Sequence, residues 1–366
     1  EVLETSQWGT SFVAPAGADV TTATAAFQHT SFYVMAKDDD TVIEFSDGKK
    51  ATLGAGESMA HLIAKKGTTL TSTKPVQVDL VTGDMGSTYE LRWYSLLPTS
   101  DWKNSYFSPV GDTTGGLQIY LYNPNSSNLQ VSVKHADDVD YKGSRVYPED
   151  YSITVPAKGY KFTNVVPSGT GALLTAPSNF IALSLTDTLC TGQIYDWGFP
   201  VLPTEKLTSQ VLVGWGYGCT EKNCGSGNNV GGVARSVVWV SPFEEADIYV
   251  DVDNDGTPEM NKSIFGASRL SSNIIENGED LSGAVIWAVK PGQPFDSSDT
   301  VLISAAWGQN SIYSKSNDYS ALDLGKYIAC THGSGGYHPT LMMQSISFCF
   351  RHTCSSFCWR PCRRSI

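Results

Sequence analysis

The sequence has few charged residues and lacks long apolar runs. Asp, Glu, Lys and Arg make up 17% of the 366 residues, below the roughly 25% that is typical of soluble domains. No run of apolar residues is long enough to span a bilayer as a helix. The chain starts at Glu1 without a methionine or an apolar leader. We therefore expect a mature chain whose signal has been removed and which is secreted, either extracellular or at the cell surface.

Recognisable catalytic motifs are also missing. We find no nucleophile elbow, no H-E-x-x-H helix and no acid pair in a familiar frame. The six histidines share no common context. A carboxylate pair for glycoside cleavage would come together only in three dimensions. We predict that the protein is not an enzyme, and a secreted hydrolase is a minor alternative.

Positive charge is scarce except at the end of the chain. The formal net charge is -12, and the last eighteen residues hold four basic residues and no acid, so the rest of the chain carries -16. Such an acidic body repels nucleic acid and anionic membranes, which excludes both as expected partners. The basic tail would find an acidic surface on a neighbouring copy, and we assign an assembly role to Arg351, Arg360, Arg363 and Arg364.

Apolar residues alternate with polar ones in many short segments, and no segment has the period of an amphipathic helix. Turn residues separate these segments at close intervals. The pattern predicts an all-β protein made of sandwiches or barrels. Representative strands are "TVIEF", "VQVDLV", "LQIYLY", "LQVSV", "VVWV", "DIYVDV" and "TVLIS".

An internal repeat indicates how the strands are organised. Residues 5–17, "TSQWGTSFVAPAG", align without a gap with residues 99–111, "TSDWKNSYFSPVG", and more weakly with residues 204–216. Each copy continues with an aromatic strand, a turn and a second strand, and closes with an apolar strand. We predict three tandem related β-sandwich or barrel-like units and a Cys-rich C-terminal tail, with ranges 1–97, 98–202, 203–335 and 336–366.

The segment "DIYVDVDNDGTPE" combines a strand with an acidic turn. Its acids occupy positions of a calcium loop, but Lys262 stands where an EF-hand needs glutamate, and no helices flank the loop. Asp-rich loops without helices also bind calcium, whereas the alternative is a solvated hairpin turn. Residues 38–40, three aspartates, are expected in the equivalent turn of the first unit. The candidate calcium ligands are Asp251, Asp253, Asp255 and Glu259. No other cofactor is expected.

Eight cysteines are compatible with four disulfides in an oxidising compartment. Cys219 and Cys224 bracket four residues, and we favour a disulfide between them over a zinc ligand pair. The sequence does not assign the partners of Cys190, Cys330, Cys349, Cys354, Cys358 and Cys362. For the tail we prefer disulfides, within it or to another chain; zinc with nearby histidines and an unstructured end are the alternatives.

Two other groups of residues are candidates for surface chemistry. Asn125 and Asn261 lie in N-x-Ser sequons, which are glycosylation acceptors in a glycosylating organism. Aromatic residues such as Trp93, Tyr94, Trp102 and Tyr106 could stack on sugar rings. Trp102 and Tyr106, however, are repeat positions, and repeated aromatic residues favour a core location.

Several ordered motifs between about residues 30 and 328 carry a family resemblance. They are "GTTLTSTKPVQVDLVTGD", "YELRWYSLLPTSDWKNSYFSPVG", "YDWGFPVLP", "LTSQVLVGWGYG", "VWVSPFEEADIYVDVDNDG", "ISAAWGQN" and "LDLGKYI". This region resembles the β-rich region of large secreted surface proteins and adhesins, and it is similar to the N-terminal part of IgGFc-binding-type proteins. The resemblance implies structural or adhesive β units without catalytic residues. It does not extend to the tail.

These observations favour a non-enzymatic extracellular structural protein. We expect its copies to assemble into a fibre or a surface appendage through terminal segments and β-edge contacts. Expected partners are other copies of the chain, with glycans or other surface proteins as further candidates. The alternative is a monomeric adhesin or carbohydrate-binding module that uses surface aromatic residues and a calcium-dependent loop.

Overall fold

The computed structural model describes residues 5–20, 25–83, 91–111, 116–137, 149–186, 197–214, 236–260, 268–275, 281–309 and 325–328. The secondary structure of these residues consists of β-strands and 3-10 turns, without an α-helix, which confirms the predicted all-β class. None of the described helical turns has the length or the apolar character needed to cross a membrane. The turns are Thr5–Gln7, Ala18–Val20, Ala25–Phe27, Thr99–Asp101 and Thr204–Lys206.

The first seven strands pair around one long strand, β6. The N-terminal part of β6 pairs with β1 and β3, and its C-terminal part pairs with β2 and β7. β4 extends the sheet beyond β3, and β5 extends it beyond β2. The strands are β1 (Gly9–Val13), β2 (His29–Ala36), β3 (Thr41–Phe45), β4 (Lys50–Leu53), β5 (Ser58–His61), β6 (Thr69–Gly83) and β7 (Leu91–Ser95).

The next seven strands repeat this arrangement, with β13 as the long strand. Its N-terminal part pairs with β8 and β10, and its C-terminal part pairs with β9 and β14. β11 pairs with β10, and β12 pairs with β9. The strands are β8 (Lys103–Ser108), β9 (Gln118–Tyr122), β10 (Leu129–Lys134), β11 (Tyr151–Val155), β12 (Tyr160–Phe162), β13 (Ala172–Leu185) and β14 (Gly198–Pro200).

The last seven strands keep most of this pairing, but two strands replace the long one, and none of the described strands corresponds to β4 and β11. β19 pairs with β15 and β17, whereas β20 pairs with β16 and β21. β18 pairs with β16. The strands are β15 (Gln210–Leu212), β16 (Ser236–Pro242), β17 (Asp247–Asp251), β18 (Asn273–Ile275), β19 (Val285–Val289), β20 (Ile303–Gln309) and β21 (Gly325–Ile328).

A proline lies where each long strand changes its partners. In β6, pairing with β3 ends at Ser72 and pairing with β2 begins at Val76, on either side of Pro75. Pro177 lies at the corresponding register shift of β13. Pro291 and Pro294 lie in the segment that separates β19 from β20. Because proline cannot donate a ladder hydrogen bond, it interrupts pairing at these positions.

The cores of the first two sets of strands form one apolar cluster. This cluster also includes Val237, Trp239 and Ala306 from the third set, whose other core residues surround Ile248 and Ile286. Buried hydrogen bonds connect the sets: the Tyr120 hydroxyl donates to the Pro15 carbonyl over 2.8 Å. The described strands therefore form consecutive β units that pack against one another through shared surfaces.

The three sets of strands lie within the ranges that the sequence repeat suggests. The strand equivalence is a structural observation, because the pairing of the first set recurs in full in the second set and in part in the third. The domain boundaries at residues 97, 202 and 335 stay a prediction. The tail, residues 336–366, lies outside the described residues.

Candidate functional site

The acidic segment predicted to bind calcium follows β17 directly. β17 occupies the position of β3 and β10 in its unit, and it ends at Asp251. The chain then turns and returns to Met260, which forms a β-bridge with Val250. Asn254 and Gly256 adopt positive φ angles of 60° and 95°, and these residue types tolerate such angles best. The strand-and-turn interpretation of this segment is therefore correct.

The turn brings four carboxylates together. One oxygen atom from each of Asp251, Asp253, Asp255 and Glu259 lies within 4.8 Å of the others. Asp251 is buried, with 2% of its surface exposed, and the other three are exposed. Four negative groups at this spacing repel one another, so a cation placed among them would lower the electrostatic energy.

The same carboxylates also accept hydrogen bonds from the loop backbone. The donors are the N–H groups of Val252, Asp255, Gly256 and Thr257, with N···O distances of 2.6 to 3.2 Å. Carboxylate oxygens are the ligands that calcium prefers, and each oxygen has a second lone pair. The geometry therefore suits a hard cation, and the backbone bonds also stabilise the turn by themselves. Calcium binding stays a prediction.

The expected equivalence of the aspartates at 38–40 with this loop is wrong. Asp38 and Asp40 lie between β2 and β3, whereas the calcium-loop candidate follows β17, the counterpart of β3. Asp39 instead connects the turn between β2 and β3 with the turn between β4 and β5, because its carboxylate accepts a hydrogen bond from the N–H of Ala55 over 2.8 Å. The spacing of the acids in the sequence did not reveal whether they precede or follow the equivalent strand.

Several predicted residues lie outside the described part of the chain. They include all eight cysteines, so the disulfide predictions for the Cys219–Cys224 pair and for the other six stay predictions. The same holds for the four arginines of the tail and for Asn261. Asn125 is described, and its Nδ2 donates to the Asn123 side chain, the Ser178 hydroxyl and the Asn179 carbonyl over 2.8, 3.2 and 3.1 Å. A glycan on Asn125 would disrupt these hydrogen bonds.

The aromatic candidates divide into buried and surface residues. Tyr94, Trp102 and Tyr106 have exposed fractions of 0%, 3% and 0%, so the core location expected for the repeated Trp102 and Tyr106 is confirmed. Burial raises the pKa of the Tyr94 and Tyr106 hydroxyls well above the usual range. Trp93 is half-buried and stacks on Tyr33, with ring centroids 5.6 Å apart. Tyr33 was missed because only the strand register shows that it meets Trp93.

The described histidines lie on or next to different strands, and the Nε2 atom of His29 on β2 is 2.9 Å from the Ser31 hydroxyl oxygen. His61 is buried, stacks on Phe45 at 4.1 Å and lies 2.9 Å from an Asp47 carboxylate oxygen. Burial lowers the pKa of His61, and it outweighs the opposing effect of Asp47. The Nδ1 atom of His61 is buried without a hydrogen-bond partner, which also disfavours the protonated ring. His135 is buried elsewhere, in the second unit.

These features define an array of repeated all-β units with an acidic loop and a small aromatic surface. A model of the IgGFc-binding protein family matches residues 1–185, slightly more than half of the chain. The chain belongs to this family, as its sequence motifs indicated. No curated protein matched it. The family is one of extracellular, secreted or surface proteins rather than of enzymes.

Proposed function

We propose that the protein is a non-enzymatic extracellular structural protein whose copies assemble into a fibre or a cell-surface appendage. The observation that supports this proposal best is the β11 edge of the second unit. β11 pairs with β10 on one side and ends the order of described strands on the other. An edge strand offers unpaired backbone groups to another chain.

Within its five residues, β11 carries none of the usual protection against edge pairing, although Glu149 and Asp150 precede it. Its sequence, "YSITV", contains no charged residue and no proline, the residue types that commonly block edge pairing. The equivalent edge strand β4, "KATL", begins with Lys50, and a second lysine, Lys49, precedes it. β12 contains Lys161. Among these described edges, β11 is the one best suited to extend a sheet into a second copy.

Contacts made by one edge strand with a different surface are heterologous. Such contacts build filaments unless the rotation between subunits closes a ring. The basic tail is the proposed second part of the joint, since its charge is opposite to that of the acidic remainder of the chain. Other surface proteins are further proposed partners, because the family description names a protein ligand, IgG Fc.

A pair of matched variants tests the edge contact. Ser152→Lys places a charge at an exposed position of β11, and Thr52→Lys does the same on β4. We expect Ser152→Lys to abolish or weaken association of the full chain in light scattering and negative-stain microscopy. Thr52→Lys should assemble like the unmodified protein. Equal assembly of both variants would contradict a role for β11.

The gathering of four carboxylates after β17 favours a second candidate, a monomeric adhesin or carbohydrate-binding module with a calcium-dependent loop. Calorimetric titration of the full chain with calcium chloride tests it. Binding should be lost in Asp251→Asn and kept in Asp38→Asn, which changes an aspartate outside the cluster. Retention of a monomer on glycan columns that is lost on adding a chelator would favour this candidate over the fibre.

A further inference from the structure

One face of the first unit carries an aromatic pair away from the apolar core. Along β2, Phe32 and Val34 point into the core, so Tyr33 points to the opposite side. Asp79 of β6 lies directly across from both Tyr33 and Ser95, and directly opposed residues share a side of the sheet. Trp93 is on that side too, because it stacks on Tyr33. We call Tyr33, Asp79, Trp93 and Ser95 the Tyr33–Trp93 face.

The two rings of this face meet over β6. Tyr33 and Trp93 belong to the strands on either side of β6, and their planes differ by 24°. The next outward residue of β2, Met35, is 38% exposed. On the neighbouring β5, the residues opposite Met35 and Tyr33 are the small Ser58 and Ala60. The residues of β5 nearest to this edge of the ring pair are therefore small.

Three polar atoms on this face are buried without a hydrogen-bond partner. They are Oδ1 of Asp79, Nε1 of Trp93 and Oγ of Ser95. Ser95 as a whole is 2% exposed. A buried polar atom without a partner costs free energy, and native structures usually satisfy such atoms. Three of them on neighbouring positions of one face mark a place where a polar ligand would recover this cost.

We propose that the Tyr33–Trp93 face is a saccharide-binding site. Sugar hydroxyls both donate and accept hydrogen bonds, so they can satisfy the Asp79 carboxylate, the Trp93 N–H and the Ser95 hydroxyl together. The C–H faces of a sugar ring pack against aromatic rings such as Tyr33 and Trp93. Because the three polar atoms are buried, sugar binding at this face requires the Tyr33 and Trp93 rings to move apart.

The chemistry of the three atoms distinguishes a saccharide from a cationic ligand. An arginine or lysine side chain has donors but no acceptor. It would pair with Asp79 and leave the Trp93 N–H without a partner. A sugar satisfies both. The site goes beyond the proposed assembly function, and it does not involve the acidic loop after β17, which belongs to the third unit.

The test uses the full chain and a glycan array of cello-, chito-, manno-, galacto- and sialylated oligosaccharides, followed by calorimetric titration with the oligosaccharide bound best. Asp79→Asn keeps the shape of the side chain but removes its charge, and we expect it to weaken binding about tenfold or more. Trp93→Ala should abolish binding. Binding to the unmodified chain should change its tryptophan fluorescence, and this change should be absent in Trp93→Phe.

A matched control is available in the third unit. Trp287 stacks on Tyr249 at 5.7 Å, much as Trp93 does on Tyr33, but its Nε1 already donates to the Phe295 carbonyl over 2.7 Å. Trp287→Ala should bind like the unmodified chain. Near-ultraviolet circular dichroism establishes that each variant is folded, and Asp79→Asn keeps the test valid if Trp93→Ala does not fold.

Three outcomes would overturn the proposal. The first is an array without any bound oligosaccharide. The second is binding that survives both Asp79→Asn and Trp93→Ala. The third is a high-resolution structure in which ordered water alone satisfies the three atoms in the presence of the oligosaccharide. Filament formation is measured separately, so failure of the saccharide site and failure of the assembly function are distinguishable.

Discussion

A single hydrogen bond between the first two units should influence the stability of both. The fully buried Tyr120 donates its hydroxyl to the Pro15 carbonyl over 2.8 Å, and its ring makes an edge contact with Phe27 of the first unit. Tyr120→Phe keeps the ring and removes the donor. The loss of such a bond costs about 1 to 3 kcal/mol when the acceptor stays buried.

The shared core determines how this loss is distributed. The common apolar cluster suggests that the first two units unfold together. For a folding unit of their combined size, each kcal/mol lost from the free energy of unfolding lowers the unfolding midpoint by about 2 to 4 °C. Tyr120→Phe should therefore lower the unfolding midpoint by about 2 to 12 °C. Hydrogen exchange should become faster in β2 and β6 as well as in β9 and β13.

Tyr33→Phe is the matched control. It removes the hydroxyl of a half-buried tyrosine whose ring stacks on Trp93 of the same unit, so the free energy of unfolding should change by no more than about 0.5 kcal/mol. The reasoning is refuted if Tyr120→Phe accelerates exchange in the second unit alone. It is also refuted if both tyrosine variants shift the midpoint equally.

Two further predictions concern pH and packing. Because burial lowers the pKa of His61, the stability that its neutral form contributes is present above the unfolded pKa of about 6.5 and is lost as pH falls below that value. Denaturant unfolding at pH 7.5 and 5 should show a smaller loss of unfolding free energy for His61→Gln than for the unmodified chain. An unchanged loss would contradict this assignment. A Cβ on Gly171 would lie 2.7 Å from the Ser108 carbonyl oxygen, so Gly171→Ala should destabilise by about 1 to 3 kcal/mol in the same assay. Gly54→Ala, whose Cβ meets nothing closer than 3.3 Å, should cost less; a larger cost would refute the packing argument.

The sequence predicted the strands and the repeat because both depend on local patterns. Alternation of apolar residues identified β3, β10 and β17, and aligned aromatic residues such as Trp102 and Tyr106 identified core positions. These signals lie within a few residues of one another, so no knowledge of long-range pairing is required.

The Tyr33–Trp93 face depends on information that the sequence does not display. Sixty residues separate its two rings, and their contact follows from the register of β2, β6 and β7. The misplacement of Asp38 and Asp40 has the same origin, since the acids flank opposite ends of equivalent strands. The long strand β6 was also hidden, because Pro75 resembles a strand boundary although pairing resumes at Val76 with a different strand.

The assembly of this protein into filaments is best tested by electron microscopy of the purified native protein, at neutral pH and without reductant. We expect ordered filaments in which the distance between subunits is constant, and shorter or absent filaments for Ser152→Lys. Dispersed monomers under the same conditions would contradict the assembly function.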